Sequence, residues 1–300
     1  MIDPRLLYET DPTVWSSLEG TRPALLHLLD GYIDAASITH NLATHILEVC
    51  EHEVVAEFDV DQLHDYRSRR PQMVFDTNQW VSLKAPHLRL HKVKDAADRP
   101  FLLLNGPEPD TQWQRMTRAV LGIAEELDCA MLLTASGVPM AVPHTRPTLV
   151  TTHSTDPELA TGNPMWIDRI TIPGSLSAML EFRAGQAGLT GMGFVAHVPH
   201  YLAQTNFAQA AAAILRRINV ATGLQIPLGP LDEQAETQLA TIQAEVREDA
   251  EMPAVLAQLE QQYDQLAESG TPSVPSADEI GAAVERFLAE RDDQDDPGFG

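Results

Sequence analysis

Cysteine is nearly absent from this 300-residue sequence. Cys50 and Cys129 are its two thiols, and each lies in an apolar stretch. Two thiols so placed make neither a disulfide framework nor a CxxC metal or redox pair. Buried free thiols in a reducing compartment are expected, and with them a cytoplasmic protein. Long apolar runs are missing too; none approaches the roughly 20 residues of a membrane-spanning helix. Met1-Ile2-Asp3-Pro4-Arg5 has neither a basic nor an apolar leader character, so no signal peptide is expected. Basic residues are scarce: 20 Lys and Arg stand against 43 Asp and Glu, for a net charge of −23. Nucleic-acid phosphates would be repelled by such a surface.

Complete catalytic signatures are also lacking. Ser136 has no G-x-S-x-G surround of a hydrolase nucleophile. Gly191-Met192-Gly193 precedes a predicted strand, whereas a dinucleotide-binding turn follows one. No cofactor is expected. His197 and His200 are three apart, a spacing that presents two metal ligands on a helix. Pro199 lies between them and the preceding residues read as strand, so no metal site is assigned.

The composition that remains, 44% hydrophobic, supports a sizeable core. Pro23–Asp30, Pro100–Gly106 and Cys129–Thr134 are short continuous apolar runs, the pattern of strands buried on both faces. Glu53–Phe58, Pro147–His153, Trp166–Ile172 and Gly191–His197 read as further strands. Met73–Leu83 and Leu88–Val93 read as two more, joined near Lys84-Ala85-Pro86 in an antiparallel or edge ribbon. Helices are predicted over about 35–50, 111–127, 174–187 and 206–220, with a short one at 156–160. Ser175 is placed as an N-cap and Gly188 just beyond the end of its helix. Strand and helix alternate, which predicts an α/β chain: a three-layer α/β/α sandwich with a mixed, mostly parallel sheet.

Composition changes after Pro227-Leu228-Gly229-Pro230. From Leu231 to the last residue there are 18 acidic and 3 basic side chains, so this part carries 15 of the 23 net negative charges. The expected organisation is a core domain over 1–228, an acidic helical region over 229–291, and a disordered tail over 292–300. Apolar stripes at Leu239, Ile242 and Val246, and at Val255, Leu256, Leu259, Tyr263 and Leu266, predict two helices. Ser276 with Glu279 forms the capping box of a third, over about 276–290, after a linker at 270–275.

Five short stretches carry a resemblance. They are Gly31-Tyr32-Ile33-Asp34-Ala35-Ala36; Leu104-Asn105-Gly106-Pro107-Glu108-Pro109-Asp110; Gly137-Val138-Pro139 with Pro143-His144-Thr145-Arg146-Pro147; Pro173-Gly174-Ser175; and His197-Val198-Pro199-His200-Tyr201. In this order the chain resembles the PAC2 (proteasome assembly chaperone 2) family in its actinobacterial form. The resemblance implies a phosphorylase/hydrolase-like fold and an acidic helical C-terminal extension. Eukaryotic relatives help assemble proteasome rings and act as dimers with a paralogue.

Ligands of parallel α/β sheets bind at the carboxyl ends of the strands. If the strands run parallel side by side, Asp34, Glu108, Asp110, Ser136, His153, His197 and His200 share one rim. His153 or His197 would then be the general base and Glu108 or Asp110 its orienting carboxylate. Asp34, Gly106, Ser136, Gly137, Arg146 and His200 are the candidate binding residues. Arg146 would hold an anionic ligand or pair with one of the many carboxylates. Two functions follow. The first is a non-enzymatic assembly chaperone or protein-interaction scaffold that forms homo-oligomers with protein partners. The alternative is a small-molecule enzyme of nucleoside phosphorylase or hydrolase type, using a His/carboxylate pocket.

Overall fold

The computed structural model describes residues 2–160 and 169–269. A 3-10 turn (Pro4–Leu7) leads into β1 (Tyr8–Thr10) and α1 (Pro12–Ser16). β2 (Ala24–Asp30) is followed by a 3-10 turn (Ala35–Ser37) and α2 (Ile38–Val49). Then come β3 (His52–Phe58), β4 (Met73–Asp76), β5 (Gln79–Leu83), β6 (Leu88–Lys94), β7 (Pro100–Pro107) and α3 (Trp113–Glu126). β8 (Met131–Met140), β9 (Val150–Ser154), α4 (Leu176–Gln186), β10 (Gly191–Pro199) and α5 (Ala208–Thr222) complete the sandwich. α6 (Gly229–Glu248) and α7 (Met252–Ser269) follow.

Eight strands form one mixed sheet in the order β1-β3-β6-β7-β2-β8-β10-β9. The four in the middle, β7, β2, β8 and β10, are parallel. Antiparallel strands flank them, with β6, β3 and β1 on one side and β9 on the other. The apolar runs are explained by this position. Successive side chains of a strand point to opposite faces, so a central strand needs apolar residues throughout. On β2, Leu26 and Leu28 join the core beneath α2, α5 and α6. Leu25 and Leu29 join the opposite core, under α3 and α4. α5 buries Ala208, Ala210, Ala211 and Ala212, small side chains that let its backbone approach β10.

Four details depart from the sequence expectations. Residues 8–10 form a strand that pairs with β3. The stretch Met73–Leu83 is not one strand but a hairpin, β4–β5, closed by a turn in which Thr77 is left-handed (φ 56°). Asp76-Thr77-Asn78 are turn-forming residues, and β6 pairs with β3 and β7 instead. The stretch Trp166–Ile172 lies partly outside the described residues, and its described part, Arg169–Ile172, is irregular. Lastly, α6 begins at the change of composition yet buries Leu231, Ala235 and Ile242 in the same core as α5. Ala208 N–H at the start of α5 donates to Gln238 Oε1 of α6 (2.8 Å). On α7, Leu259 is buried and Val255 is exposed. The linker, third helix and tail expected over 270–300 lie outside the described residues.

Candidate functional site

Parallel strand order reverses at β2. The chain passes from β2 to β7 on one side and then to β8 on the other, and a crevice at the carboxyl ends of β2 and β8 is the usual ligand position. β2 ends at Asp30, and the chain then turns sharply. Ile33, Ala36 and Ser37 all have left-handed backbone (φ 49°, 62° and 50°). For a β-branched residue such as Ile33 this conformation is costly. The turn is held by Ala36 N–H donating to Ala203 O (2.7 Å), and by Asn41 Nδ2 donating to Ala36 O (2.9 Å).

Asp34 sits inside this turn. Its carboxylate accepts from Thr39 N–H (3.0 Å) and from Thr39 Oγ1 (2.5 Å), next to the first turn of α2. The Gly137 amide also points at it. Burial pushes the Asp34 carboxyl up to about 6; nearby Asp30 acts in the same direction, and the Thr39 and Gly137 hydrogen bonds oppose it. Asp30 in turn lies 3.3 Å from His40 Nδ1, whose pKa is raised by that bond. Gly137 is required by space: a Cβ there would collide with Ala35 O and Ile38.

Glu108 ties three of the stretches together. Its Oε1 accepts from Leu176 N–H (2.5 Å), at the start of α4, and its Oε2 from Tyr32 N–H (3.4 Å). Negative charge at a helix N-terminus is favourable, and Ser175 caps the same helix through Ala178 N–H. A Cβ at Gly31 would strike the Glu108 side chain. Gly106 has φ 139° and lies against the His87 carbonyl, where a side chain has no room.

A second junction joins the remaining stretches. Buried His144 places Nδ1 2.8 Å from the Tyr201 hydroxyl, which also accepts from His144 N–H (3.0 Å). Burial lowers the His144 pKa. Arg146 makes a two-pronged ion pair with Asp264 (2.8 and 2.7 Å) and a further contact with Glu260 (3.3 Å), both on α7. Tyr263 Oη donates to Pro147 O (2.8 Å) alongside. Of the two roles open to Arg146, the structure fills the carboxylate-pairing one.

The expected single rim is not formed. β9 runs antiparallel to β10, so His153 lies opposite Gly193, near the amino end of the parallel strands. There its Nδ1 pairs with Glu181 Oε1 of α4 (2.8 Å). His197 lies opposite Val138 towards the other end. It is buried, with Nε2 2.8 Å from Thr151 Oγ1, and burial pushes its pKa down to about 4, so the ring is neutral. No catalytic pair of His153 or His197 with Glu108 or Asp110 is assembled. Asp110 instead pairs with Arg69 (2.8 Å) and accepts from Asp65 N–H (2.6 Å). Burial works to raise its carboxyl, but these partners outweigh it and hold the group low. Ser136 is half-buried on β8 opposite Val195, and His200 is exposed on a 3-10 turn with its ring edge-on to Tyr201. Among the described residues no cluster of three or more His, Cys, Asp or Glu is placed to hold a metal, and no helix is long and apolar enough to cross a membrane. Sequence reasoning missed Thr39, Asp30 and His40. An aspartate before a threonine-containing helix start was the available signal for Thr39.

The PAC2 family model matches residues 28–246. A Mycobacterium tuberculosis protein of unknown function is similar in structure, at 40% sequence identity and TM-score 0.84, covering 88% of this chain and 90% of that one. A Corynebacterium glutamicum protein of unknown function is 33% identical, with TM-score 0.82 and coverage of 88% and 98%. A Mycobacterium tuberculosis proteasome-assembly chaperone homologue shares the fold at 24% identity, with TM-score 0.71 and coverage of 79% and 99%. No match was found among functionally curated proteins.

Proposed function

Because this chain belongs to the PAC2 family, we propose that it is a non-enzymatic assembly chaperone or protein-interaction scaffold that works in the cytoplasm on protein partners. One observation carries the reading. The polar groups of the motif stretches are spent on joining elements to one another: Glu108 holds α4 to the β2 turn, Asp34 holds α2, and Arg146 holds α7. Such residues build a rigid frame rather than present a reacting group. The fold likeness to a proteasome-assembly chaperone homologue suggests proteasome core subunits as the first partner class. The test is co-expression with the α and β core subunits of the same organism, followed by native gels and sedimentation. A complex with unassembled subunits that is absent from finished particles supports the proposal. Free chain at micromolar concentrations of every subunit overturns the proteasome role.

A second reading is favoured by Asp34, whose carboxyl is pushed up to about 6 inside a left-handed turn at the strand-order reversal. Raised carboxyls at such a crevice suit acid chemistry on a small molecule of nucleoside type. Thermal unfolding against nucleosides, phosphate and sugars separates the two. A ligand at about 100 times its Kd adds about 2.7 kcal/mol, and a shift abolished by Asp34→Asn favours the enzyme.

A further inference from the structure

Gly191-Met192-Gly193 takes part in none of the junctions between loops. Its two glycines clear space on β10. A Cβ at Gly193 would strike the ring of His153, and one at Gly191 would strike Cγ of Glu181. His153 and Glu181 therefore pack directly on the strand backbone, where a larger residue would displace them. The same row of the sheet is polar or bare across four strands. His27 on β2 pairs in register with Thr134 on β8, Thr134 with Gly193, and Gly193 with His153 on β9. Neighbouring rows of this face carry Leu25, Leu29, Leu102 and Leu132.

The two side chains form a dyad. His153 Nδ1 lies 2.8 Å from Glu181 Oε1. A carboxylate only accepts, so Nδ1 carries the proton and Nε2 keeps its lone pair. The Glu181 side chain is 14% exposed and its Oε2 is buried without a donor, so His153 is its one side-chain partner among the described residues. The imidazole is held from one side only. No described residue bonds Nε2, and the His153 side chain is 46% exposed. Helix α4 leaves that opening uncovered. Residues three and four positions from Glu181 share its helix face, and they are Ser177, Ala178, Ala184 and Gly185, all small. An oriented imidazole with a free Nε2 is a nucleophile. Charge selects the substrate. Neither member of the dyad pairs with Lys or Arg among the described residues, so a phosphoryl dianion would meet Glu181 uncompensated. An uncharged ester meets no such repulsion.

We propose that His153 and Glu181 form an acyl-transfer centre for small uncharged esters. Nε2 bonds to the acyl carbon and the ester C–O bond breaks. The Nδ1 proton passes through Glu181 to the leaving alkoxide. Water then cleaves the acyl-imidazole, releasing the acid and returning a proton to the ring. His153 touches the acyl carbon, and Glu181 is a positioning residue. Neither belongs to the junctions behind the assembly reading, so the two can fail separately. The test is p-nitrophenyl acetate with the full chain, read as phenolate release. Wild type is expected to exceed free imidazole at equal concentration by about 100-fold. His153→Gln is expected to lose that excess with its unfolding transition unchanged. Gly193→Ala keeps both residues but displaces the ring, and is expected to lose most of it. Glu181→Ala is expected to lower the rate by about tenfold or more. Long-range 1H–15N spectra report the positioning directly: His153 is expected as Nδ1–H in wild type and as Nε2–H in Glu181→Ala. A wild-type rate no greater than that of free imidazole overturns the proposal, and so does an unchanged rate in His153→Gln. Phosphorylation of His153 by acetyl phosphate without ester turnover overturns it too, by making the centre a phosphoryl acceptor.

Discussion

The carboxyl of Asp34 yields a prediction whose sign is opposite to ordinary acid denaturation. Its value rises from 3.8 to about 6, burial being the main cause. The folded state therefore holds the proton more tightly than the unfolded chain does. The stabilisation from that proton is complete below the unfolded value and is lost as pH rises through about 6. A shift of roughly 2 units corresponds to about 3 kcal/mol in all. About 2 kcal/mol of this falls between pH 4.5 and 7.5. Other carboxylates titrate the other way. Asp110 is held low, so its contribution is lost as pH falls, and the stability of the wild type alone is not diagnostic. The difference between wild type and Asp34→Asn is. The amide cannot ionise, but it replaces one acceptor beside the Thr39 amide and hydroxyl, at a fixed cost of about 1–2 kcal/mol. The variant is thus expected to be less stable than wild type at pH 4.5 and to gain about 2 kcal/mol on it by pH 7.5. In a chain of this size that is a relative rise of about 4 °C in Tm. Urea titrations at five pH values measure it. A wild-type-minus-variant difference that is flat across the range would refute the reasoning, since Asp34 would then titrate alike in both states.

Three further outcomes are expected. Gly31→Ala drives a Cβ into the Glu108 side chain and should cost about 1–3 kcal/mol; Glu108→Ala should cost about 2 kcal/mol through the amides it leaves unpaired. In the double variant the losses should fall short of their sum, and strict additivity in denaturant titrations would show that the two do not touch. Arg146→Met should speed hydrogen exchange across 252–265 and leave β2 unchanged, and added salt should act similarly on the wild type; unchanged exchange in α7 would show that the ion pairs do not hold it. Phe194→Ala removes a fully buried ring and should cost about 3–5 kcal/mol, measured by the shift in the denaturant midpoint.

How much of this was legible depends on the range of the interaction. Buried central strands were readable because two-faced burial demands apolar runs, unbroken in Leu102–Leu104 and interrupted in Leu25–Leu29 only by the buried His27. Helix ends were readable where the cap is local: Ser175 accepts from Ala178 N–H, and Gly188 follows with φ 78°. Strand direction was not readable from residue type, and it decided the site. A parallel partner needs a crossover of a dozen or more residues, usually a helix, whereas only nine residues without helix separate Met140 from Val150. That short link was the available sign that β9 runs backwards. It moves His153 four residues along β10 from His197 and dissolves the expected rim.

The motif stretches themselves have a physical reading that differs from a catalytic one. Gly31 and Gly137 are glycines because Glu108 and the Ala35 carbonyl occupy the space a side chain would need. Glu108 accepts amide hydrogens from two elements far apart in sequence, and the Tyr201 hydroxyl pairs with His144 Nδ1 across the same end of the sheet. Each group is thereby held by partners that a single sequence cannot reveal, since the partner lies 57 to 76 residues away. Residues that fix loops to one another in this way hold one end of the sandwich rigid. The pairs at the base of the β4–β5 hairpin, Arg69 with Asp110 and with Glu108 O, belong to that same end. The junctions and the hairpin base are therefore parts of one construction, in which side-chain-to-backbone bonds stiffen a single end of the sheet.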